Sequence, residues 1–377
     1  MPGAGTPDPM AGPATPLAGE IARLIAHDGP MSLARYMELC LGHPVHGFYM
    51  RGDPFGAAGH FVTAPEVSQM FGELIGLWCG TVWASMGAPD PVVLVEAGPG
   101  RGTLMADLLR AAGKVAGFAD ALHVHLVETS PALRRRQRET LAAHAGRIAW
   151  HDRLDEVPPG PAIVVANEFL DALPVRQFMR TERGWCERVV GLGPDGALAL
   201  GLTADPVPAT TVPVALRHGP VGSLAETSSA VRDEVFRLAA RLVTHGGAAL
   251  LVDYGYSRPA HGDTLQAVRE HRFASFLDAP GDCDLTAHVS FSAVADAARA
   301  AGAAVHGPIS QARFLDGLGL ALRARALGEA RPDQAATIDE AVRRLTDPAQ
   351  MGELFQAMVI ASPDLPVPPP FAPEPSP

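Results

Sequence analysis

The amino-acid sequence predicts a doubly wound α/β fold built on a mostly parallel sheet. Apolar runs at 92–97, 161–166 and 248–252, rich in Val, Ile, Leu and Ala, suit strands that are covered on both faces. Stretches with helical spacing at 103–114 and 229–245 flank these runs, as expected of βαβ units. With 377 residues, 47% of them hydrophobic, the chain can bury a large core.

The remaining elements follow from apolar periodicity and from helix-start signals. Ser32 stands where a helix N-cap is expected, and Ser130 is followed by proline, which is favoured at the first helical position. Residues 175–181 and 185–192 alternate in polarity and predict a hairpin. The other predicted helices are 18–27, 32–41, 67–85, 130–144, 292–301, 311–328 and 333–345, and the other predicted strands are 122–127, 147–150, 304–309 and 355–361.

Composition argues against several classes of function. The formal charge is −11 and Lys114 is the only lysine, so no basic surface for nucleic acid is expected. The cysteines, at 40, 79, 186 and 283, form no C-x-x-C pair, so neither a zinc site nor a disulfide framework is expected. No apolar run reaches the ~18 residues of a membrane span, and the first 20 residues carry no lysine or arginine. A cytoplasmic location is therefore expected.

The first central strand runs into the glycine-rich turn V-E-A-G-P-G-R-G at 95–102. Its glycines let the backbone approach a ligand, and the helix that follows offers its positive N-terminal end to negative charge. A dinucleotide fingerprint, Gly-x-Gly-x-x-Gly, would place Thr103 where the third glycine belongs. The dinucleotide interpretation therefore lacks a residue that it needs.

An acid two residues before the first glycine, as Glu96 is before Gly98, is typical of S-adenosylmethionine (SAM) methyltransferases. A sulfonium cation with an ammonium group also tolerates a nearby acid better than a pyrophosphate does. SAM is therefore the favoured ligand, while a dinucleotide and a tight turn without a ligand stay open as alternatives. The expected cofactor-binding residues of this turn are Glu96, Gly98, Pro99, Gly100, Gly102 and Thr103.

Polar residues also follow the neighbouring strands. Glu128 ends the second predicted strand, at the position that accepts hydrogen bonds from ribose hydroxyls in Rossmann-like folds; the alternative is a plain surface acid. Asp152 follows the third strand, where a contact with the adenine edge is expected; the alternative is a solvated turn residue. Asn167, Glu168 and Asp171 follow the fourth strand, where α/β enzymes place their chemistry.

Five ordered motifs resemble the MidA family of SAM-dependent methyltransferases. They read G-H-F-V-T-A-P-E-V-S-Q-M-F-G-E-L-I-G at 59–76, V-E-A-G-P-G-R-G-T-L-M-A-D at 95–107, A-N-E-F-L-D-A-L-P-V at 166–175, L-V-D-Y-G-Y at 251–256, and G-D-T-L-Q-A with D-L-T-A-H-V at 262–267 and 284–289. The resemblance implies a Rossmann-like class I methyltransferase fold: a mostly parallel seven-stranded sheet, one strand antiparallel, with helices on both faces. Its first motif implies Thr63, Pro65 and Glu66 as further cofactor-binding residues, although His60 and Ala64 stand where the family more often has Asp and Ser.

The expected organisation has a central domain between two tails. Residues 1–16 and 363–377, rich in proline, are predicted to be disordered. Residues 17–90 are predicted as an N-terminal helical cap region, and 91–362 as the SAM-binding methyltransferase domain. An inserted segment of strands and loops is expected at about 175–225.

The resemblance also implies a substrate. Mitochondrial members of the family are complex I assembly factors that dimethylate an arginine of a complex I subunit. Carboxylates that grip a guanidinium can orient it and localise its charge away from the methyl group, and Glu168 and Asp171, with Asn167 beside them, are predicted for this role. The alternative is a structural turn in which Asp171 caps the backbone near Pro174.

Three functions stay open. Methylation of a protein arginine is favoured; methylation of a small molecule or a carboxylate, and a SAM-binding assembly factor with little turnover, are the alternatives. Methyl transfer is an in-line displacement that needs no metal, and none is predicted. The sequence does not give the oligomeric state and leaves a homodimer open.

Overall fold

The computed structural model describes residues 15–52 and 63–372, which form two compact units. The smaller unit consists of 15–51, 174–227 and 261–286, and the larger unit contains 63–173, 228–260 and 287–372. Residues of the predicted cap region therefore occur in both units. Of the predicted tails, 1–16 and 363–377, residues 1–14 and 373–377 lie outside the described residues.

The α-helices are α1 (Pro16–Asp28), α2 (Leu33–Gly42), α3 (Phe48–Arg51), α4 (Ala64–Val67), α5 (Gln69–Ser85), α6 (Thr103–Ala112), α7 (Phe118–Ala121), α8 (Pro131–Thr140), α9 (Ser229–His245), α10 (Phe291–Ala300), α11 (Gln311–Gly317), α12 (Leu320–Ala330) and α13 (Ala335–Thr346). None of those in residues 15–52 and 63–372 has the length and hydropathy that a membrane span requires.

The strands are β1 (Met31–Ser32), β2 (Val92–Ala97), β3 (Leu122–Val127), β4 (Ile148–His151), β5 (Ala162–Asn167), β6 (Arg176–Thr181), β7 (Gly184–Leu192), β8 (Leu198–Leu202), β9 (Leu224–Thr227), β10 (Gly247–Tyr256), β11 (Gln266–Arg269), β12 (Arg272–Ala274), β13 (Asp284–Thr286), β14 (Val289–Ser290), β15 (Ala304–Ser310) and β16 (Phe355–Ala361).

The larger unit contains the predicted sheet, with strand order β15-β16-β10-β5-β2-β3-β4 and the short β14 beside β10. The pairs β10–β5, β5–β2, β2–β3 and β3–β4 are parallel, whereas β16 is antiparallel to both of its neighbours. This is a Rossmann-like sheet of seven strands with one strand reversed. The predicted fold class is confirmed.

Alternation along the central strands produces two buried layers, because successive side chains point to opposite faces of a sheet. On one face, Leu94, Ile163 and Leu250 pack with the apolar residues of α5 and α6. On the other face, Val95, Val164 and Leu251 pack with those of α9 and α10. Helices therefore cover both faces, as the continuous apolar runs indicate.

The smaller unit is mainly antiparallel. Its five-stranded sheet has the order β1-β7-β6-β9, with β8 also paired to β7, and a separate three-stranded sheet has the order β12-β11-β13. β6 and β7 form the predicted hairpin. Across it, Arg176 Nε donates to Glu187 Oε1 at 2.7 Å.

The structure corrects several predicted boundaries. Residues 363–372 are not a disordered tail: the Trp78 indole N–H donates to the Pro369 carbonyl at 2.8 Å, and Phe371 packs against Phe314. Likewise Thr15 belongs to the fold, because its hydroxyl caps α1. The predicted helix 67–85 begins at 69, since extended Ser68 caps it, and the helix 311–328 is interrupted near Gly319, whose φ is +88°.

Close contact between α5 and α6 depends on Gly76. A Cβ at this position would lie 2.6 Å from the Leu108 carbonyl oxygen and 2.9 Å from the Ala111 Cβ. The first of these atoms belongs to the backbone and cannot rotate away, so a larger residue must push the two helices apart.

We predict that Gly76→Ala lowers the free energy of unfolding by about 1–3 kcal/mol, the usual cost of overpacking a core. Gly328→Ala is the matched control, because no atom lies within 4 Å of its added Cβ. That variant should be neutral or more stable by up to about 1 kcal/mol, since alanine favours helix over glycine. Equal effects on the midpoint of urea denaturation would contradict the packing argument.

Candidate cofactor and acceptor site

The glycine turn joins β2 to α6 in the larger unit. Gly98, Gly100 and Gly102 have φ values of +68°, +52° and +82°, a left-handed region that side chains with a Cβ rarely adopt. The Gly102 N–H donates to the Pro99 carbonyl at 2.7 Å and closes the turn. α6 begins directly afterwards with Thr103, so the turn lies at the positive end of a ten-residue helix.

Gly98 also brings the turn next to the polar segment that follows β5. A Cβ at Gly98 would lie 3.0 Å from a ring carbon of Phe169. Because Phe169 directly follows Glu168, the predicted cofactor turn and the predicted catalytic residues are neighbours. The sheet therefore brings together the two motifs that the sequence separates by some seventy positions.

Glu96 lies near the end of β2 and is 3% exposed. Burial raises its pKa to about 8. Within residues 15–52 and 63–372 its Oε2 has no hydrogen-bond partner. Because a buried polar oxygen without a partner is costly, this atom is suited to a ligand that donates hydrogen bonds or carries positive charge.

Glu128 follows β3 and is also buried. Its Oε1 accepts from the Ser130 N–H at 2.7 Å, and its Oε2 accepts from Gln137 Nε2 at 3.1 Å. Burial raises the pKa of Glu128 to about 6, opposed by these two hydrogen bonds. The same Gln137 amide donates to the Gly100 carbonyl at 2.8 Å, so it joins the acid to the glycine turn.

Gln137 is not among the site residues that the sequence predicts. It lies one helical turn after the buried Leu133 on α8, so the helical spacing indicates that it is on the buried face. The partner of a buried amide, however, depends on the tertiary fold.

Asp152 lies at the edge of the sheet beyond Glu128, with a side chain that is 64% exposed. It accepts from Arg134 Nη2 at 2.7 Å, and Arg134 Nε donates to the Glu128 carbonyl at 2.6 Å. Arg134 therefore fixes Asp152 beside the second strand. The adenine contact of Asp152 stays a prediction.

The segment around α4 contacts the turn through Glu66. Its carboxylate accepts from the Thr103 hydroxyl at 2.5 Å and from Arg101 Nη1 at 3.4 Å. Thr63 is the N-cap of α4, and Pro65 is buried in its first turn. Residues 59–62 of the same motif, including His60, lie outside the described residues.

The segment after β5 carries the predicted catalytic residues. Glu168 has a φ of +50°, which is uncommon for a residue with a side chain. Its Oε1 accepts from Asn167 Nδ2 and from the Ala64 N–H, both at 3.1 Å. Asn167 is buried, and its Oδ1 has no partner in the described part of the chain.

Two buried acids, Asp171 within this segment and Asp253 near the end of β10, complete the site. Burial raises the pKa of Asp171 to about 6, while the Tyr254 side chain, hydrogen-bonded to it, opposes that shift. Burial and the charges of Asp171 and Glu168 raise the pKa of Asp253, and its hydrogen bonds from the Asp171 and Leu170 N–H groups oppose that shift. Asp253 was not among the predicted site residues, although its place near the end of a central strand in the motif L-V-D-Y-G-Y could have indicated it.

The geometry can hold a cation next to a cofactor turn. Asn167, Glu168 and Asp171 lie at the carboxyl end of β5, directly beside the turn that follows β2. No group of three or more His, Cys, Asp and Glu side chains suited to a metal ion occurs in residues 15–52 and 63–372. Left-handed glycines, the partnerless Glu96 oxygen and the buried Glu128 together fit the amino-acid and ribose parts of SAM. Fold and turn are those of a class I SAM-dependent methyltransferase.

Comparison with known proteins supports the same class of enzyme. The model of the family described as "Putative S-adenosyl-L-methionine-dependent methyltransferase" matches residues 74–309. The chain belongs to this family, and its cofactor is SAM. The resemblance seen in the sequence motifs is thus confirmed.

Relatives and solved structures cover most of the chain. The protein arginine methyltransferase NDUFAF7 of Danio rerio mitochondria is 36% identical over 89% of this chain and 84% of its own length. Its Homo sapiens counterpart is 34% identical over 92% and 84%. A crystal structure from Burkholderia thailandensis, bound to S-adenosyl-homocysteine, is 33% identical, with a TM-score of 0.82 over 92% of this chain and 91% of that one.

We predict that Gly98→Val or Gly100→Val abolishes SAM binding in a folded protein, because a branched side chain disfavours a positive φ and occupies the turn. Gly146→Val is the matched control: its added Cβ has no neighbour within 4 Å. Titration calorimetry should give wild-type affinity for the control alone. Unchanged affinity in a folded Gly98→Val protein would remove the turn from the cofactor site.

Because Glu96 is buried, we predict that the free energy of unfolding depends on pH. Its pKa of about 8 in the folded protein exceeds the ordinary value of 4.5, so the unfolded chain loses this proton first. The free energy of unfolding of the cofactor-free protein should therefore fall as pH rises from about 4.5 to about 8. Bound SAM favours the ionised acid and should reduce this fall. Denaturation across the window, with and without SAM, tests this; the same slope in Glu96→Gln as in wild type would refute it.

Proposed function

We propose that the protein transfers the methyl group of SAM to an arginine side chain of a protein substrate. The observation that carries the proposal is the carboxylate cluster after β5, directly beside the cofactor turn. Two relatives of similar length are named protein arginine methyltransferases, which supports the same acceptor. When bound, SAM supplies an electrophilic methyl group on a sulfonium.

Glu168 and Asp171 are the groups that grip the guanidinium in this proposal. The arginine side chain stays protonated at neutral pH because its pKa is very high, and it is a poor nucleophile while its charge is delocalised. Carboxylates paired with two of its nitrogens hold the plane of the group and localise charge away from the third. The buried position of Asp171 strengthens such an interaction, because the local dielectric is low.

Asn167 supplies a neutral acceptor beside these acids. Its Oδ1 is buried and without a partner in the described part of the chain, and its Nδ2 donates to Glu168. A guanidinium N–H would satisfy that oxygen and fix the rotation of the planar group. Orientation of this kind lowers the barrier of an in-line displacement, since little further entropy is lost in the reaction.

The substrate is proposed to be a subunit of respiratory complex I, and the protein to act in the cytoplasm. The family resemblance of the five motifs supports the first point. Four buried, unpaired cysteines are consistent with a reducing compartment and support the second.

Tritiated SAM and separately purified complex I subunits of the same organism test the substrate. We expect one subunit to be labelled, with the label on arginine by mass spectrometry. Label in a small-molecule fraction of a lysate would instead favour a small-molecule methyltransferase. A protein that binds SAM and labels neither would be an assembly factor without turnover.

We predict that Glu168→Gln leaves SAM affinity nearly unchanged and slows methyl transfer by about 100- to 1000-fold, corresponding to about 2.7–4 kcal/mol of barrier. The amide keeps the shape and an acceptor for the Ala64 N–H but loses the charge. Single-turnover rates at saturating SAM measure the effect.

Glu139→Gln, at an exposed position on α8, is the control for the charge change and should behave as wild type. Near-wild-type rates in Glu168→Gln would remove Glu168 from the chemistry. Loss of SAM binding would assign it to the cofactor site instead.

A further inference from the structure

Asp253 makes an unusual set of contacts with the segment that carries the proposed acceptor-binding acids. Its Oδ2 accepts from the N–H groups of Phe169, Leu170 and Asp171 at 3.2, 2.9 and 3.3 Å. Its Oδ1 accepts from the Tyr254 N–H at 2.9 Å. The carboxylate, 1% exposed, therefore receives four backbone hydrogen bonds.

The three successive N–H groups can converge on one oxygen only if the backbone curls around it. Such concave arrangements of consecutive N–H groups favour a negatively charged partner. Glu168 directly precedes them and has the left-handed φ of +50°, a conformation that persists only where surrounding contacts enforce it. The sequence N-E-F-L-D offers no glycine that would make the turn easy.

The two proposed grip residues lie at opposite ends of this curl. Glu168 stands immediately before the first bonded N–H, and Asp171 contributes the last. Asp253 comes from β10, which pairs with β5 up to Val252 and Asn167. A side chain on the neighbouring strand thus determines the shape of the loop that presents both acids.

We propose that Asp253 is a positioning residue for methyl transfer, which holds Glu168 and Asp171 in the geometry that grips the acceptor guanidinium. The proposal rests on the arginine-methylating function proposed above. Asp253 touches neither cofactor nor acceptor in this role and acts through the backbone of residues 169–171. It differs from a general stabilising role in that its loss should disturb acceptor chemistry while SAM binding persists.

The test compares Asp253→Asn with Asp107→Asn. Asp107 is also a buried acid of the larger unit, but it lies in α6 and accepts from Arg110 at 2.6 Å. We expect Asp253→Asn to speed hydrogen–deuterium exchange in residues 167–173 of the SAM-bound protein, with SAM affinity changed by less than about threefold. Asp107→Asn should leave exchange in that segment unchanged.

A double-mutant cycle with Glu168→Gln then tests how Asp253 acts. For the subunit labelled in the acceptor assay, we expect Asp253→Asn to lower kcat by at least about tenfold and the double variant to be no slower than the slower single variant. Rate losses that multiply would show an independent role and overturn the proposal. Unchanged exchange in 167–173 would overturn it as well.

If Asp253→Asn does not fold, Asp253→Glu replaces it, because this variant keeps the charge and displaces the carboxylate by one methylene. The same measurements then apply. Failure of both variants to fold would assign Asp253 to stability alone. A wild-type protein that labels no subunit refutes the proposed function. The exchange result still decides whether Asp253 holds the turn, because exchange needs no acceptor.

Discussion

Burial of four acids at the carboxyl edge of the sheet is the constraint on which the site depends. Glu96, Glu128, Asp171 and Asp253 are buried and lie at or just beyond the ends of the adjacent strands β2, β3, β5 and β10. Ionised carboxylates are expensive to bury unless N–H groups or cations compensate them. Glu128 and Asp253 receive backbone N–H groups, whereas Glu96 keeps an oxygen without a partner in the described part of the chain. The protein thus compensates its structural acids internally and leaves one for the cofactor.

Short sequence motifs predicted the parts of this site that depend on the backbone. The glycine turn was predictable because left-handed turns favour glycine, and the polar residues after each strand were predictable because parallel strands end at one edge of the sheet. The network around Asp253 and Gln137 could not be read in the same way, since a buried polar side chain does not reveal its partner. The interruption of the predicted helix 311–328 was missed as well, although Gly317 and Gly319 lie there two positions apart and glycine often ends a helix.

The smaller unit shows that short sequence motifs do not predict strand pairing between distant parts of the chain. β1, near the start of the chain, pairs with β7 through Met31 and Val190. The hairpin of β6 and β7 was predictable because its strands are adjacent in sequence and alternate in polarity. Pairing across about 160 positions, however, depends on which edges the rest of the fold leaves available. The prediction therefore described 175–225 as an insertion and missed the N-terminal strand that joins it.

The reversed strand β16 has a consequence for how the chain is made. It lies between β10 and β15 and pairs with both, yet it leaves the ribosome after both of them. Until Phe355–Ala361 arrives, β10 has no neighbour on that side and β15 has no place in the sheet. Exposed strand edges pair readily with other chains. Completion of the sheet thus waits for synthesis of 355–361, and a nascent chain that stalls before this point presents an open edge to its neighbours.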